Sequence, residues 1–258
     1  MHQNYHNPVY NSDSKENPVY EFIVLISTVI LTSLICCSAR WLGAQILPPL
    51  LAGSVVTSIF IAGKLGDLSI PGFGTVAISV SILIYSSTFL ITDVISELYG
   101  PKLAQSAVLG TALCYPIVLA ASQFSIHWTP SVYYPDQQAF ANIMSFAGRV
   151  TLASLLSYLA SQTFDVWAFH KIRSYTGKSR LWIRNNGSTI ISQGLDTAIF
   201  YGLAFYGLMS FNQLLQLIVV AYLCKVVIAL IDTPFVYAVI YFVRKSERHE
   251  QGIHPDYT

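Results

Sequence analysis

The chain has 258 residues, of which 53% are hydrophobic and only 10% are charged, and its mean hydropathy is +0.53. Soluble domains carry about 25% charged residues, so this composition excludes a soluble globular protein and predicts an all-α, polytopic membrane helix bundle. The net charge of +1 excludes the basic face that nucleic-acid binding requires. We therefore expect the lipid bilayer, and not a nucleic acid, to surround the protein.

Both ends of the chain are polar. Residues 1–18 hold Lys15 as their only Lys or Arg and are predicted to form a disordered tail. Residues 247–258 are predicted to form a polar cytoplasmic tail. A signal peptide begins with a short positively charged segment, which is missing here, so the first apolar run is predicted to be a retained helix. Residues 19–246 between the tails are predicted to form a single transmembrane domain.

Apolar runs between polar or Gly/Pro breaks predict seven helices. A helix needs about 20 apolar residues to cross the hydrocarbon layer, and these runs reach or approach that length. The turn at 64–74 has to join the second helix to the third, and Gly100 and Pro101 are predicted to form the next tight turn. The predicted helices are 20–40, 46–64, 74–98, 102–123, 142–170, 185–209 and 213–243.

The distribution of Lys and Arg predicts the orientation. Cytoplasmic connections of membrane proteins carry an excess of these residues. If the C-terminus is inside, the inner connections hold ten of them and the outer connections hold two, which predicts seven spans with N-out and C-in. The ten are Arg40, Lys102, Lys171, Arg173, Lys178, Arg180, Arg184, Arg244, Lys245 and Arg248, and the two are Lys15 and Lys64.

The sequence carries no signature of an enzyme or of a metal site. It contains no HExxH, no GxSxG and no nucleotide-binding P-loop, so neither an intramembrane enzyme nor an ATPase is predicted. The cysteines lie in apolar runs without CxxC or a His pair at ligand spacing, so they are predicted to act as small hydrophobic residues. We expect no metal and no cofactor.

Seven ionisable residues fall inside the predicted helices. An ionisable side chain deep in a bilayer costs roughly 2.5 to 3.5 kcal/mol, so it persists where it faces a polar cavity or a partner. Such a set indicates either a binding cavity or pairs that fix the packing of the helices. The seven are Asp93, Glu97, Arg149, Asp165, Asp196, Lys225 and Asp232.

Helical spacing groups several of these residues. Asp93 and Glu97 are four residues apart and share a face, and Lys225 and Asp232 are seven apart and share another. Counted from the basic residues taken to mark the inner face, Asp196 and Asp232 lie about 18 Å deep and Asp93 about 14 Å deep. These three carboxylates are predicted to converge at one level. The sixth helix carries a stripe of polar residues, which predicts a face turned toward water or a polar cavity. The stripe consists of Asn185, Thr189, Ser192, Gln193 and Asp196.

Four segments of the chain resemble a known family. They are ILIYSSTFLITDVISELYGPKLA (82–104), GRVTLASLLSYLASQTFDVWAFHKIR (148–173), LWIRNNGSTIISQGLDTAIF (181–200) and YLCKVVIALIDTPFVYAVIYFVRK (222–245). Together they resemble the YhhQ/VUT family of queuosine precursor transporters over residues 46–246. The resemblance implies a six-helix core to which the helix at 20–40 is an addition. It also implies import of 7-cyano-7-deazaguanine or a related 7-deazaguanine across the bacterial inner membrane, for salvage of queuosine in tRNA.

The resemblance also implies which residues form the site. Substrate binding is expected from acids, amides, a hydroxyl and a lysine, namely Asp93, Glu97, Asn186, Ser192, Gln193, Asp196, Lys225 and Asp232. Three further residues, Arg149, Gln162 and Asp165, are expected to act in structure or coupling. The position of Asp165 is also consistent with pairing to a loop cation near the inner face, and that of Arg149 with anchoring at the outer interface.

The chemistry of a 7-deazaguanine suits such a site. Its ring N–H and amine can be accepted side by side by one carboxylate, for which Asp196 and then Glu97 are the first candidates. Its carbonyl requires a donor such as Asn186, Gln193 or Lys225. Its ring requires a flat platform, for which Tyr85, Phe89, Phe200 and Tyr237 are candidates.

Buried carboxylates also suit proton relays, so a proton-coupled carrier of another small solute or vitamin is the alternative function. A structural or assembly factor is a third hypothesis, but it does not explain acids on several helices. The sequence leaves open whether the protein works alone, as a homodimer or with an energising partner.

Overall fold

A computed structural model describes residues 18–62, 64–70, 74–145, 147–177 and 180–250. The predicted N-terminal tail lies outside these residues except for Pro18, which begins the first helix. The predicted C-terminal tail lies outside them from residue 251 onward. Its first four residues, 247–250, continue the last helix instead.

Helices dominate the described part of the chain, as the composition predicts. The first five are α1 (Pro18–Cys37), α2 (Ala39–Leu42), α3 (Leu47–Ile61), α4 (Ile82–Tyr99) and α5 (Pro101–Ala112), with a 3-10 turn at Ala44–Ile46. The remaining five are α6 (Cys114–His127), α7 (Gln137–Ser145), α8 (Ala147–Thr176), α9 (Leu181–Phe205) and α10 (Phe211–Glu250).

A β-hairpin connects α3 to α4. Strand β1 (Leu65–Ile70) pairs antiparallel with β2 (Gly74–Ser79), in a register that sets Leu65 opposite Ser79. The prediction of a simple turn at 64–74 followed by a helix from residue 74 is therefore wrong. The segment GTVAIS is rich in β-branched residues, and short apolar runs of this kind do not distinguish a strand from the start of a buried helix.

Two helix boundaries follow from glycine and proline. Gly100 has φ +86, which only glycine adopts without strain, and Pro101 starts α5, so the predicted tight turn is confirmed. The helix predicted at 102–123 is broken in two at Leu113. Pro116 has no N–H to donate to the carbonyl of Ala112, and the chain therefore ends α5 there and starts α6.

Among the described residues, four segments are long and apolar enough to cross a membrane: Ala44–Ile61, Ile82–Tyr99, Pro101–His127 and Phe211–Lys245. The helices α8 and α9 have 30 and 25 residues, which is sufficient length, but they carry many polar side chains. Those two helices pack on each other along their length, so their polar faces are turned inward. The count of seven spans and the N-out, C-in orientation stay predictions.

Helix α4 is the centre of the bundle. Every residue from 86 to 97 is buried, and α4 packs against α1, α3, α5, α8 and α10. A helix buried on all sides has no solvent or lipid face, so its polar residues have to find partners on neighbouring helices. The outer helices expose large apolar side chains such as Leu113, Ile117 and Phe124 instead, as lipid-facing surfaces do.

Candidate functional site

Buried charged residues form three clusters at different heights along α4. The Asp196 cluster lies beside Tyr85, the Asp93 cluster about 12 Å further along the helix, and the Glu97 cluster about 6 Å beyond that. Each cluster joins α4 to α9 and to at least one more helix. The prediction that Asp196 shares a level with Asp93 and Asp232 is therefore wrong.

The Asp196 cluster contains a buried ion pair. Lys225 on α10 donates to Asp196 Oδ2 on α9 at 2.5 Å, and the two side chains are 6% and 2% exposed. On the other carboxylate oxygen, Oδ1, the Tyr85 hydroxyl donates at 2.7 Å and the Ser161 hydroxyl at 3.2 Å. The Lys225 ammonium also lies 5.1 Å from the centre of the Tyr85 ring. Four helices thus meet at one carboxylate.

A cavity of about 50 Å³ lies beside this ion pair. Its wall includes the aromatic rings of Tyr85, Phe200 and Tyr201 together with Asp196 and Lys225. A larger pocket of about 620 Å³ shares Ile59 with it and is lined by the end of α3, by α6 and by the start of α8. The ion pair is therefore close to a larger opening at the hairpin end of the bundle.

The Asp93 cluster brings together three acids from three helices: Asp93 on α4, Asp165 on α8 and Asp232 on α10. All three are buried. Hydroxyl groups of α9 donate to two of them: Thr189 is 3.2 Å from Asp93 Oδ2, and Ser192 is 2.8 Å from Asp165 Oδ1. Asp165 forms no ion pair with any loop cation in the part of the chain that the structure describes, contrary to that interpretation of the sequence.

The Glu97 cluster is a carboxylate surrounded by arginines. Arg184 donates to Glu97 Oε2 from Nε at 3.0 Å and from Nη2 at 2.8 Å. Arg244 donates to Oε1 at 2.6 Å, and Arg173 lies 3.6 Å from Oε2. Both carboxylate oxygens of Glu97 already accept hydrogen bonds from arginines. The contact between Glu97 and the substrate therefore stays a prediction.

The predicted amide residues have different environments. Asn186 donates to the Thr233 hydroxyl at 2.8 Å and so connects α9 to α10. Gln162 donates to Thr88 at 3.1 Å and accepts from Thr92 at 3.1 Å, which connects α8 to α4. The amide of Gln193 is buried with neither its oxygen nor its nitrogen hydrogen-bonded, one turn from Asp196.

Four members of these clusters are not indicated by the sequence, namely Ser161 and the three arginines around Glu97. Arg184 was counted as a loop cation, yet its side chain is fully buried. Ser161, which donates to Asp196, is uncharged and therefore gave no signal in a search for buried charges.

Among the predicted aromatic platforms, Tyr85 and Phe200 line the cavity. The Tyr237 hydroxyl instead accepts a hydrogen bond from the backbone N–H of Trp182, and Tyr237 is 42% exposed. The side chain of Arg149 lies outside the described residues.

Metal binding has no support in the described ranges, which hold no group of three His, Cys, Asp or Glu able to bind an ion. All four cysteines are free, and two of them, Cys36 and Cys37, adjoin on α1. The polar chemistry of the bundle is therefore that of carboxylates, amides, hydroxyls and cations.

Comparisons with known proteins bear on the same part of the chain. A family model described as "Putative vitamin uptake transporter" matches residues 79–239. The chain is 34% identical over 205 residues to the "Probable queuosine precursor transporter" of Bacillus subtilis (strain 168), covering 72% of this chain and 88% of that protein. It is 26% identical over 159 residues to the "Queuosine precursor transporter" of Escherichia coli (strain K12), covering 59% and 67%. No solved structure matches.

The match to the family model covers more than half of the chain and contains the Asp196 cluster, the Asp93 cluster and all of the Glu97 cluster except Arg244. The family expected from the sequence motifs is thereby confirmed. This chain is a multi-pass transport protein of the bacterial inner membrane and not an enzyme, and it belongs to the vitamin uptake transporter family that includes the queuosine precursor transporters.

Proposed function

We propose that this protein imports a queuosine precursor, a 7-deazaguanine such as 7-cyano-7-deazaguanine, and binds it at the Asp196 cluster. The observation that carries the proposal is the buried pair of Asp196 and Lys225 beside an aromatic-lined cavity. Two relatives bear the name queuosine precursor transporter, which supports the class of substrate.

The pair offers the polar groups that the base requires. The carboxylate of Asp196 can accept the ring N–H and the amine of the base as two parallel hydrogen bonds. The ammonium of Lys225 can donate to the ring carbonyl, and the unpaired amide of Gln193 lies one turn away. Tyr85 and Phe200 supply aromatic faces for the flat ring.

A buried ion pair is an expensive way to hold two helices together. Removing two charges from the solvent costs several kcal/mol per ion, and apolar residues of similar volume are often as stabilising. A site for a polar base gives a reason to keep both charges. In the substrate complex, the base would exchange the direct contact between Asp196 and Lys225 for contacts with each of them.

Binding requires rearrangement of the cavity. Its volume of about 50 Å³ is well below the roughly 300 to 1,000 Å³ of typical ligand pockets. The adjoining pocket of about 620 Å³, which includes Lys64 and Asn142, supports access from the hairpin end. With C-in topology, that end faces outward, and the arginine-rich Glu97 cluster faces the cytoplasm. A homodimer or an energising partner stays an untested expectation.

The remaining predicted residues extend the proposal along the bundle. Ser192 donates to Asp165, and Asp93 and Asp232 lie beyond the Asp196 cluster on the way to the cytoplasmic end. We place them outside the contacts with the base, between the Asp196 cluster and the Glu97 cluster. Asn186 is proposed to hold α9 against α10 through Thr233.

The test is uptake in a bacterium that neither makes 7-cyano-7-deazaguanine nor has its own importer. Expression of this protein should restore queuosine in tRNA at limiting concentrations of the precursor. Immunodetection in the membrane fraction controls for expression. Lack of restoration by a protein present in the membrane would contradict the proposal, and uptake of an unrelated vitamin instead would favour the alternative of another small solute.

A further inference from the structure

The Asp93 cluster holds three acids without a cation. Asp93, Asp165 and Asp232 are 2%, 1% and 3% exposed, and none of them takes part in an ion pair among the described side chains. The electrostatic neighbours of Asp93 include Asp165, Asp232 and Glu97, which are all acids. Three negative charges at this depth would repel one another with no compensation.

The hydroxyl donors are too few for three ionised carboxylates. Thr189 has one hydroxyl proton, but its oxygen lies 3.2 Å from Asp93 and 3.4 Å from Asp165. Ser192 donates to Asp165, and the Ser188 hydroxyl is a further donor near Asp165. One oxygen of each acid is nevertheless without a hydrogen-bond partner: Asp93 Oδ1, Asp165 Oδ2 and Asp232 Oδ1. Buried carboxylates with a deficit of donors hold protons, because the neutral acid supplies the missing donor itself.

A small cavity connects two of the acids. Its volume is about 10 Å³, which is close to the space of one water molecule, and Asp93 and Asp232 both line it. Ser86 Oγ and Asn185 Oδ1, which also belong to lining residues, are buried and unpartnered. A water here would contact up to four polar groups and could carry a proton between α4 and α10.

The other charged side chains near the Asp93 cluster lie at least one helical turn away from it. Toward the cytoplasmic end lie Glu97, Arg173, Arg184, Arg244 and His170, and the three arginines form ion pairs with Glu97. Toward the other end, Asp196 and Lys225 pair with each other, and Lys225 is about 10 Å along α10 from Asp232. On the other packed helices, α3 has no titratable residue, α5 has only the exposed Lys102, and α1 presents only Cys36 and Cys37 among its described side chains.

We propose that Asp93, Asp165 and Asp232 form a proton-binding site that couples substrate import to the proton gradient. This inference rests on the proposed transport function but assigns these acids a ligand of their own. A proton from the outer solution binds one carboxylate to give the neutral acid and later leaves to the cytoplasm, so the site returns to its starting state. Sodium is not favoured as the ligand, because the described residues hold no group of three His, Cys, Asp or Glu side chains able to bind a metal ion.

Protonation would control the packing of the bundle. With protons bound, α4, α8 and α10 stay in contact around Thr189. In this neutral form the loaded bundle changes between its outward-open and inward-open states. Loss of the proton to the cytoplasm, after the substrate has left, places like charges on facing helices and drives the empty bundle back to the outward-open state. The substrate and the proton would therefore cross in one cycle.

The experiment uses purified full-length protein in liposomes with a pH-sensitive dye inside. Addition of 7-cyano-7-deazaguanine outside should acidify the lumen, and an inwardly directed proton gradient should accelerate uptake at least tenfold. In Asp93→Asn, Asp165→Asn and Asp232→Asn, the acceleration by the gradient should be lost. Exchange of labelled for unlabelled substrate should stay within about threefold of wild type, since exchange needs no net proton movement. Asp136→Asn, an exposed acid in the loop after α6, is the matched control.

Three results would overturn the inference: uptake indifferent to a collapsed proton gradient, acceleration by a sodium gradient instead, or loss of exchange together with coupling in well-folded Asn variants. A second measurement is independent of the substrate. The infrared band of protonated carboxyl groups should be present in wild-type protein at neutral pH and should shrink in each Asn variant but not in Asp136→Asn. If the wild-type protein binds no 7-deazaguanine, the proposed function fails, but the infrared band still tests whether these carboxyl groups hold protons. Absence of the band from the wild-type protein would overturn the inference.

Discussion

Glu97 and Arg184 form the most enclosed ion pair of the described structure: the Arg184 side chain is 0% exposed and the Glu97 side chain 1%, with 2.8 Å between Nη2 and Oε2. Arg184 also donates to the backbone carbonyl of Gly177 at 3.0 Å. The pair ties the end of α4 to the start of α9, and Arg244 adds α10 to the same carboxylate. Ion pairs with Glu97 therefore hold three helices together at the end of the bundle that is predicted to face the cytoplasm.

Removing one partner of this pair should destabilise the protein strongly. Arg184→Gln leaves Glu97 in the interior without its best-buried cation, and breaking such a pair costs roughly 3 to 5 kcal/mol. Thermal unfolding in detergent should show a clearly lower Tm. Arg180→Gln removes an exposed cation four residues earlier and should change stability by about 0.5 kcal/mol or less. An equal decrease of Tm in the two variants would show that the buried ion pair of Arg184 contributes nothing to the stability of the protein.

Replacing Asp196 should abolish substrate binding. Asp196→Asn keeps the size of the side chain but removes both charge-assisted hydrogen bonds to the base, because one accepting oxygen becomes a donor and the other loses its charge. Each is worth about 1.5 to 3 kcal/mol, which predicts an affinity lower by at least 100-fold. Titration calorimetry with 7-cyano-7-deazaguanine measures it.

A double variant separates binding from the loss of the ion pair. Asp196→Asn combined with Lys225→Met removes both buried charges, so no unpaired ammonium remains. We expect near-normal abundance and Tm but still no binding. Restored binding in the double variant would mean that Asp196 serves only to neutralise Lys225.

The hydroxyl of Tyr85 should contribute to substrate affinity through Asp196. Tyr85→Phe keeps the aromatic face but removes the donor that orients Asp196 Oδ1 at 2.7 Å. One such bond is worth about 1 kcal/mol, so the Kd should rise roughly fivefold. Tyr133→Phe, at a ring that is 92% exposed in the loop after α6, should leave the Kd unchanged. An unchanged Kd in Tyr85→Phe would remove Tyr85 from the site.

The orientation can be tested by labelling single cysteines. In a protein whose four native cysteines are replaced, Val132→Cys lies in the exposed loop after α6 and should react with a membrane-impermeant maleimide in intact cells. Tyr175→Cys, exposed near the end of α8, should react only after permeabilisation. The reverse pattern would mean that the Glu97 cluster faces outward.

The helical bundle and its buried acids could be predicted from the sequence because a bilayer leaves few alternatives. Apolar runs of sufficient length have to be helices, and acids within them have to be buried among helices. Asp93, Asp165, Asp196 and Asp232 are indeed all buried. The hairpin could not be predicted in this way, because strand pairing depends on a partner segment and not on local hydrophobicity.

The depths were wrong for a physical reason. Counting from Arg184 assumed that this cation marks the membrane surface, whereas it reaches Glu97 inside the bundle. Asp196, twelve residues further along α9, therefore lies about 18 Å beyond the level of Glu97, while Asp93 lies only about 6 Å beyond it. The pairing of an arginine with an acid on another helix is a tertiary contact, and the count of loop charges contains no information about it.

The length of α10 connects these observations. From residue 211 to residue 250 it runs unbroken, and it carries Lys225, Asp232 and Arg244 in that order. Pro234 removes one backbone hydrogen bond just after Asp232 and gives the helix a point where it bends at low cost. A rotation of α10 about its own axis would move Lys225 away from Asp196, Asp232 away from Asp93 and Arg244 away from Glu97 at the same time.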